Sequence, residues 1–141
     1  MELVVVVAIV AAIAAFAWPR LSSLMPKARL DGAARNLAAE IHRTRFRAIA
    51  ETSRYRVTFD TGAKTYTVCR EPVASSGNFT ACDAAKKIDD AGSITIAATP
   101  TTATTFSARG TCEQPTQVTL TASGGEVRRV GTRSSGNVYV L

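Results

Sequence analysis

The side chains able to do chemistry are an acid set in an apolar run, three cysteines, one histidine and many arginines. Glu2 precedes Leu3 to Trp18, sixteen residues that are all apolar. A carboxylate beside hydrocarbon is costly unless paired. An acid there marks a specific cationic partner, or a helix start in a head-group layer where the helix dipole favours it. Cys69, Cys82 and Cys112 fall in no CxxC or CxxH spacing, which argues against zinc and for a disulfide in an exported domain. His42 has no second ligand at helical spacing and reads as a surface histidine. No serine–histidine–aspartate, cysteine–histidine, phosphate-loop or dinucleotide-glycine pattern accompanies them. No catalytic residue, metal site or cofactor is therefore expected, and the chain is not expected to be an enzyme.

The element carrying Glu2 is an apolar stem. A transmembrane helix needs about 20 apolar residues to cross about 30 Å of hydrocarbon. The run from Leu3 to Trp18 is slightly shorter. A cleaved secretory signal is disfavoured, because the residues ahead of the run hold an acid and no Lys or Arg. A buried core helix is disfavoured because a chain of 141 residues has little interior for a helix apolar all round. Beyond Ser22, Leu30, Ala33, Ala34, Leu37, Ala38, Ile41, Ala48 and Ile49 recur at three- and four-residue spacing, which predicts an amphipathic helix to about Glu51. Pro19 and Pro26 are expected to break or kink it. Glu40, Arg43, Arg47 and Glu51 fall where i,i+4 pairs can form on the outer face.

The rest reads as a β-rich head. Arg54–Asp60 and Lys64–Cys69 alternate around Asp60-Thr61-Gly62-Ala63, a hairpin signal. Glu71 to Asp90 reads mostly as loop. Ser93–Ala97, Thr105–Gly110, Gln117–Ala122, Val127–Val130 and Gly136–Leu141 read as strands, with Thr99–Thr105 as a polar connection. Of three cysteine pairings, Cys69–Cys82 is preferred because it closes the long loop, leaving Cys112 free. Asn78-Phe79-Thr80 is a glycosylation sequon if the host uses one. The expected organisation is an apolar helix over 1–25, its amphipathic continuation over 26–53, and a β-rich head over 54–141. A net charge of +6 implies attraction to anionic surfaces without naming one. The arginines of residues 27–56 recur around the helix, as a solvated or inter-subunit face does.

The stretch M-E-L-V-V-V-V-A-I-V-A-A-I-A-A-F-A-W-P resembles the N-terminus of type IV pilins and pseudopilins. In that family a glutamate is followed by an apolar helix and by a proline seventeen residues on, the spacing of Glu2 and Pro19. Its mature subunits lose a short leader and begin with a methylated residue, usually four residues ahead of the glutamate. The resemblance therefore implies that a leader and about three mature residues precede Met1, bringing the apolar span near 20. It also implies a role for Glu2, pairing with the N-terminal amine of a neighbouring subunit during assembly. The segments F-S-A-R-G-T, Q-V-T-L-T, G-G-E-V-R-R-V and S-S-G-N-V-Y-V-L resemble the C-terminal sheet of GspH/FimT-type pseudopilins.

The implied fold is α+β and pilin-like, a long N-terminal helix packed on an antiparallel sheet. The implied function is a structural subunit of a type IV pilus or pilus-like filament. It would be held in the inner membrane as a single-pass protein, then polymerised with copies of itself by pilus assembly machinery into an extracellular filament. The alternative is a minor pseudopilin of a type II secretion or DNA-uptake apparatus with a DNA-binding head. For that role Arg128, Arg129 and Arg133 are the candidate anion or DNA contacts. DNA-uptake members carry a G-R-x-R arrangement at the last glycine, whereas here Gly136 precedes Asn137, Val138 and Tyr139.

Overall fold

The computed structural model of the chain describes residues 2–73, 76–89 and 92–141, apart from the side chains of 2, 3, 8 and 14–24. Among the described residues, one helix, α1 (Glu2–Ala50), leads into nine strands: β1 (Tyr55–Asp60), β2 (Thr65–Arg70), β3 (Ala81–Cys82), β4 (Lys86–Lys87), β5 (Ile94–Thr99), β6 (Ala103–Phe106), β7 (Gln117–Ala122), β8 (Val127–Thr132) and β9 (Val138–Val140). They form two antiparallel sheets. The first has the order β3-β2-β1-β6 with β4 also on β2, and the second has the order β5-β7-β8-β9. The α+β, pilin-like class read from the sequence is the class observed.

The second half of α1 lies on the inner faces of both sheets. Leu30, Ala34, Leu37, Ala38, Ile41 and Ala48 are buried there against Val57, Phe59 and Phe106 of the first sheet and Ile94, Val118, Leu120 and Val130 of the second. Burying a leucine- or isoleucine-sized side chain stabilises by about 1.5–3 kcal/mol. The large side chains Leu30, Leu37 and Ile41 thus supply most of the helix's hold on the head, and the alanines let the backbone approach.

Three expectations are corrected. The α1 helix is continuous through Pro19 and Pro26, so neither proline ends it. A proline deletes one i→i−4 bond and crowds a carbonyl, and a long helix absorbs this without stopping. Ile49 was expected on the buried face but is 43% exposed: it stands about 100° around the helix from the fully buried Ala48, on the flank beside the turn at Gly110. The Thr-rich connection contains β6, which starts at Ala103 and stops at Phe106 rather than running from Thr105 to Gly110. Thr104 and Thr105 are buried, their β-branched shape suiting a strand more than their hydroxyls suit a loop. The β1–β2 turn is held by Asp60, whose Oδ1 accepts from the backbone N–H of Gly62 at 2.9 Å and of Ala63 at 2.8 Å.

Candidate assembly surface

The helix is fastened to the head by charged side chains as well as by its apolar face. Near the start of the packed half, Lys27 Nζ lies 2.5 Å from Glu126 Oε1, and Arg128 Nε donates to Asp31 Oδ1 at 2.6 Å. Midway, Lys86 Nζ donates to Glu40 Oε1 at 2.9 Å, joining the helix to the first sheet. Arg45 then reaches across to two turns of the head. Its Nε donates to the Gly110 carbonyl at 2.9 Å, and its terminal nitrogens donate to Asn137 Oδ1 and the Ser135 carbonyl, each at 3.4 Å. The two turns touch. A Cβ on Gly136 would stand 2.0 Å from the Gly110 carbonyl oxygen, and both glycines have positive φ, 83° and 77°. Glycine is required there by backbone conformation and by contact together.

At the end of α1 a carboxylate gathers three partners. Glu51 accepts from the Tyr55 hydroxyl at 2.6 Å and from Arg70 at 3.1 Å, with Arg47 at 3.8 Å. The Tyr55 hydroxyl first, then Arg70 and Arg47, hold the Glu51 carboxyl below the usual carboxylate range, against the opposing effect of burial. Burial and the same contact raise the Tyr55 hydroxyl. Arg47 also donates to Asp83 Oδ2 at 2.8 Å, so the helix end is tied to the residue after Cys82. Of the outer-face pairs foreseen, Arg47–Glu51 forms, whereas Glu40 turns to Lys86.

The Cys69–Cys82 disulfide is present, with Cα atoms 3.9 Å apart and a sequence separation of 13, and Cys112 is free and buried. Glu71 anchors the loop inside this bridge. Its side chain is fully buried, and it accepts from Arg54, from the Ser76 hydroxyl at 3.3 Å and from the Gly77 N–H. Burial pushes its carboxyl up, but the Gly77 N–H, Arg54 and Ser76 outweigh that and leave it below the ordinary range. Arg54 also binds Glu113. The Phe79 ring covers the Arg56 guanidinium at 4.0 Å.

The arginines singled out for anion contact do not form one patch. Arg128 points to the inner side of the second sheet and pairs with Asp31, whereas Arg129 is its neighbour on the opposite, solvent side. Arg133 lies in the β8–β9 turn with its guanidinium 5.7 Å from the centre of the Tyr139 ring. That ring packs over Gly131, where a Cβ would meet it at 2.4 Å. The Glu2 side chain lies outside the described residues. Among the described residues no group of three or more His, Cys, Asp or Glu is placed to hold a metal, and no helix is long and apolar enough to cross a membrane.

Asp31, Arg45, Arg54 and Glu71 were not foreseen as structural anchors. A partial signal existed for Asp31, an acid on a basic helix beside its apolar face. Arg45 and Glu71 gave none, since their partners lie at long range or on backbone groups.

Comparison with known proteins bears on this arrangement. The profile of the family described as type II transport protein GspH matches residues 33–136. No curated protein sequence matches. Among solved structures, the type IV minor pilin FimU of Pseudomonas aeruginosa (strain PAO1) is similar with a TM-score of 0.66 at 17% identity, covering 82% of this chain and 90% of that one. The minor pseudopilin EpsH from the type 2 secretion system of Vibrio cholerae is similar with a TM-score of 0.64 at 12% identity, covering 80% of this chain and 96% of that one. At such identities the likeness speaks for the fold. The family match spans well over half of the chain, from the packed half of α1 to the turn at Gly136: the chain belongs to the GspH family of type II transport proteins.

Proposed function

We propose that this chain is a structural subunit of a type IV pilus or secretion pseudopilus. It waits in the inner membrane by its N-terminal helix and then polymerises through that helix, with the head outside. One observation carries the reading. The same helix that is bound into the head from Leu30 onward continues to Glu2 with bare apolar side chains. Val4, Val5, Val6, Val7, Ile9, Val10 and Ile13 are each at least 55% exposed. Covering seven such side chains is worth on the order of 10 kcal/mol, so they require lipid or other stems around them. Both environments are apolar, and transfer from one to the other conserves this burial. Glu2 then sets the register, since a carboxylate among packed stems is tolerated only where a cation meets it. The role is mechanical, without catalysis or cofactor, and the partners are other subunits, the inner membrane and the assembly machinery.

A DNA-capturing head is the second reading, favoured by Arg129 and by Arg133 stacked on Tyr139 at the solvent side of the second sheet. Arg128 drops out of it, being held by Asp31. Binding to duplex DNA that is undetectable at low salt removes that reading.

The filament reading is tested with a Glu2→Val variant in the native host. Expected are unchanged amounts in the membrane and loss from the sheared filament fraction. Normal amounts in filaments overturn the role given to Glu2, and absence of the wild-type chain from sheared filaments overturns the function itself.

A further inference from the structure

The two sheets treat their edges differently. In the first sheet β3 and β4 are two residues long and exposed, and β4 is Lys86–Lys87. β6 is covered by the chain that follows it, through the Phe106–Cys112 bridge and the Glu113 N–H donating to the Thr105 carbonyl at 2.8 Å. Short strands, lysines and covering loops are how proteins prevent stray strand pairing. The second sheet lacks these devices at both edges. β5 and β9 contain no charged residue and no proline.

The ladder fixes which backbone groups each edge leaves open. Leu141 and Arg129 exchange both hydrogen bonds at 2.8 Å, so Tyr139 faces β8 while Val138 and Val140 face away from it. The Ala122 N–H donates to the Glu126 carbonyl on the β8 side, so Thr121, Thr119 and Gln117 face β5. They pair with Thr95, Ala97 and Thr99, which leaves Ile94, Ile96 and Ala98 facing outward. The Ile94 N–H agrees, since it donates outward to Asp89 Oδ2 at 3.0 Å. Ile96 and Ala98 at one edge, and Val138 and Val140 at the other, keep their N–H and C=O groups without partners among the described residues. Three antiparallel steps separate β5 from β9, so the two edges run in opposite directions.

We propose that β5 of one copy of this chain adds to β9 of the next, joining their second sheets edge to edge. This contact rests on the filament reading above and deepens it. Ile96 pairs with Val140 and Ala98 with Val138, each pair exchanging both hydrogen bonds, a register that uses all the open groups of these four residues. Val140, an apolar side chain left 43% exposed, then packs against Ile96, and Leu141, 69% exposed, lies beside Thr95. The strands run along α1, from Lys27–Glu126 at one end to Arg45–Asn137 at the other, and a neighbour moved sideways keeps its stem parallel. Pairing β5 with β5 does not fit, because the two-fold relating two antiparallel copies of one strand would point the stems in opposite directions. Within one copy Ala98, Val118, Val130 and Val140 stand at one level. Pairing Ala98 with Val138 shifts the neighbour by two residues, about 7 Å along the strands. A head-to-tail contact with such a shift winds into a helix rather than closing as a ring. So short an edge does not hold two free heads together. Packed stems supply the proximity, and the edge sets how the heads face one another.

The test uses cysteine substitutions in the full chain in the native host, with sheared filaments oxidised mildly and run on non-reducing gels. In the proposed register Thr95 and Leu141 stand opposite each other as a non-hydrogen-bonded pair, with Cα atoms about 4.5 Å apart, within reach of a disulfide. Within one copy they lie three strands apart, about 14 Å, so only two copies can join them. The native cysteines do not compete, two being bridged and Cys112 buried. Thr95→Cys with Leu141→Cys is expected to give a ladder of dimers, trimers and longer products, and each single variant none. Thr99→Cys with Leu141→Cys, four residues out of register, should give about tenfold less product. Ala98→Pro and Val138→Pro each delete one outward N–H and no bond of their own ladder, so either one, added to the Thr95–Leu141 pair, should abolish the product. Filaments that contain the chain but give no ladder overturn the contact. So does an equal ladder from the out-of-register pair, a dimer from Thr95→Cys alone, a product joining either position to a different protein, or a ladder that survives both prolines. Absence of the wild-type chain from sheared filaments overturns the filament reading instead, and this contact with it.

Discussion

Replacing Gly136 by alanine tests how the head's last turn is seated on the stem. Two costs add. The backbone at Gly136 has φ of 83°, and a Cβ in that region costs about 1 kcal/mol. The same Cβ would lie 2.0 Å from the Gly110 carbonyl oxygen and 2.8 Å from Arg45 Nε, so the two turns must separate. Separation breaks the 2.9 Å bond from Arg45 to Gly110, and stranding a part-buried guanidinium and carbonyl costs about 1–3 kcal/mol more. The sum is about 2–4 kcal/mol. Gly125 is the control. Its φ is 82°, but a Cβ there meets nothing within 4 Å, so alanine costs about 1 kcal/mol from backbone conformation alone. Thermal unfolding of the full chain in detergent measures both, at about 4 °C per kcal/mol for a domain of this size. Gly136→Ala should lower Tm by about 8 °C or more and Gly125→Ala by about 4 °C. Equal shifts for the two variants would refute the reasoning, since contact between the turns would then contribute nothing.

Removing the disulfide with Cys69→Ser and Cys82→Ser should cost about 3 kcal/mol in the loop-entropy model, read as a lowered denaturant midpoint. The Glu71 contacts should still hold part of the loop, leaving its amides near Gly77 partly protected from hydrogen exchange. The Asp31–Arg128 pair is about 40% exposed on both sides, so a double-mutant cycle should give a coupling below about 1 kcal/mol, weakening with salt. Glu51 and Glu71 both have folded pKa values below the ordinary 4.5. Their stabilisation is therefore present above about pH 4.5 and lost as pH falls through the lower folded values. Unfolding midpoints from pH 7 to 3 should drop at the acid end, and Glu51→Gln should flatten that drop.

Much of the head was legible because alternation is a local signal. Gln117–Ala122 shows its buried face as Val118, Leu120 and Ala122, and Tyr55, Val57 and Phe59 do the same for β1. Helical spacing likewise picked out Leu30, Leu37 and Ile41. The misreadings arose where local chemistry and tertiary context disagree. Thr104 and Thr105 look like loop residues by polarity but are core by shape. Ile49 is apolar but stands about 100° around the helix from the fully buried Ala48, at the flank of the buried stripe. Pro19 and Pro26 obey a rule about one missing hydrogen bond within a helix stabilised by many others. The candidate site was the least legible part. Arg45 is one arginine among several until the turns at Gly110 and Gly136 are folded beside it, and they lie 65 and about 90 residues away.

The central claim is that the apolar half of α1 becomes the interior of a filament. The direct measurement is a crosslink map of sheared, purified filaments carrying single cysteines at Val4, Val7 and Ile13. Filaments formed through the stem give crosslinks from these positions to stems of neighbouring subunits, and Glu2→Val abolishes them. Stem cysteines that react freely with a water-soluble thiol reagent in the assembled filament, and crosslink to nothing, contradict the claim.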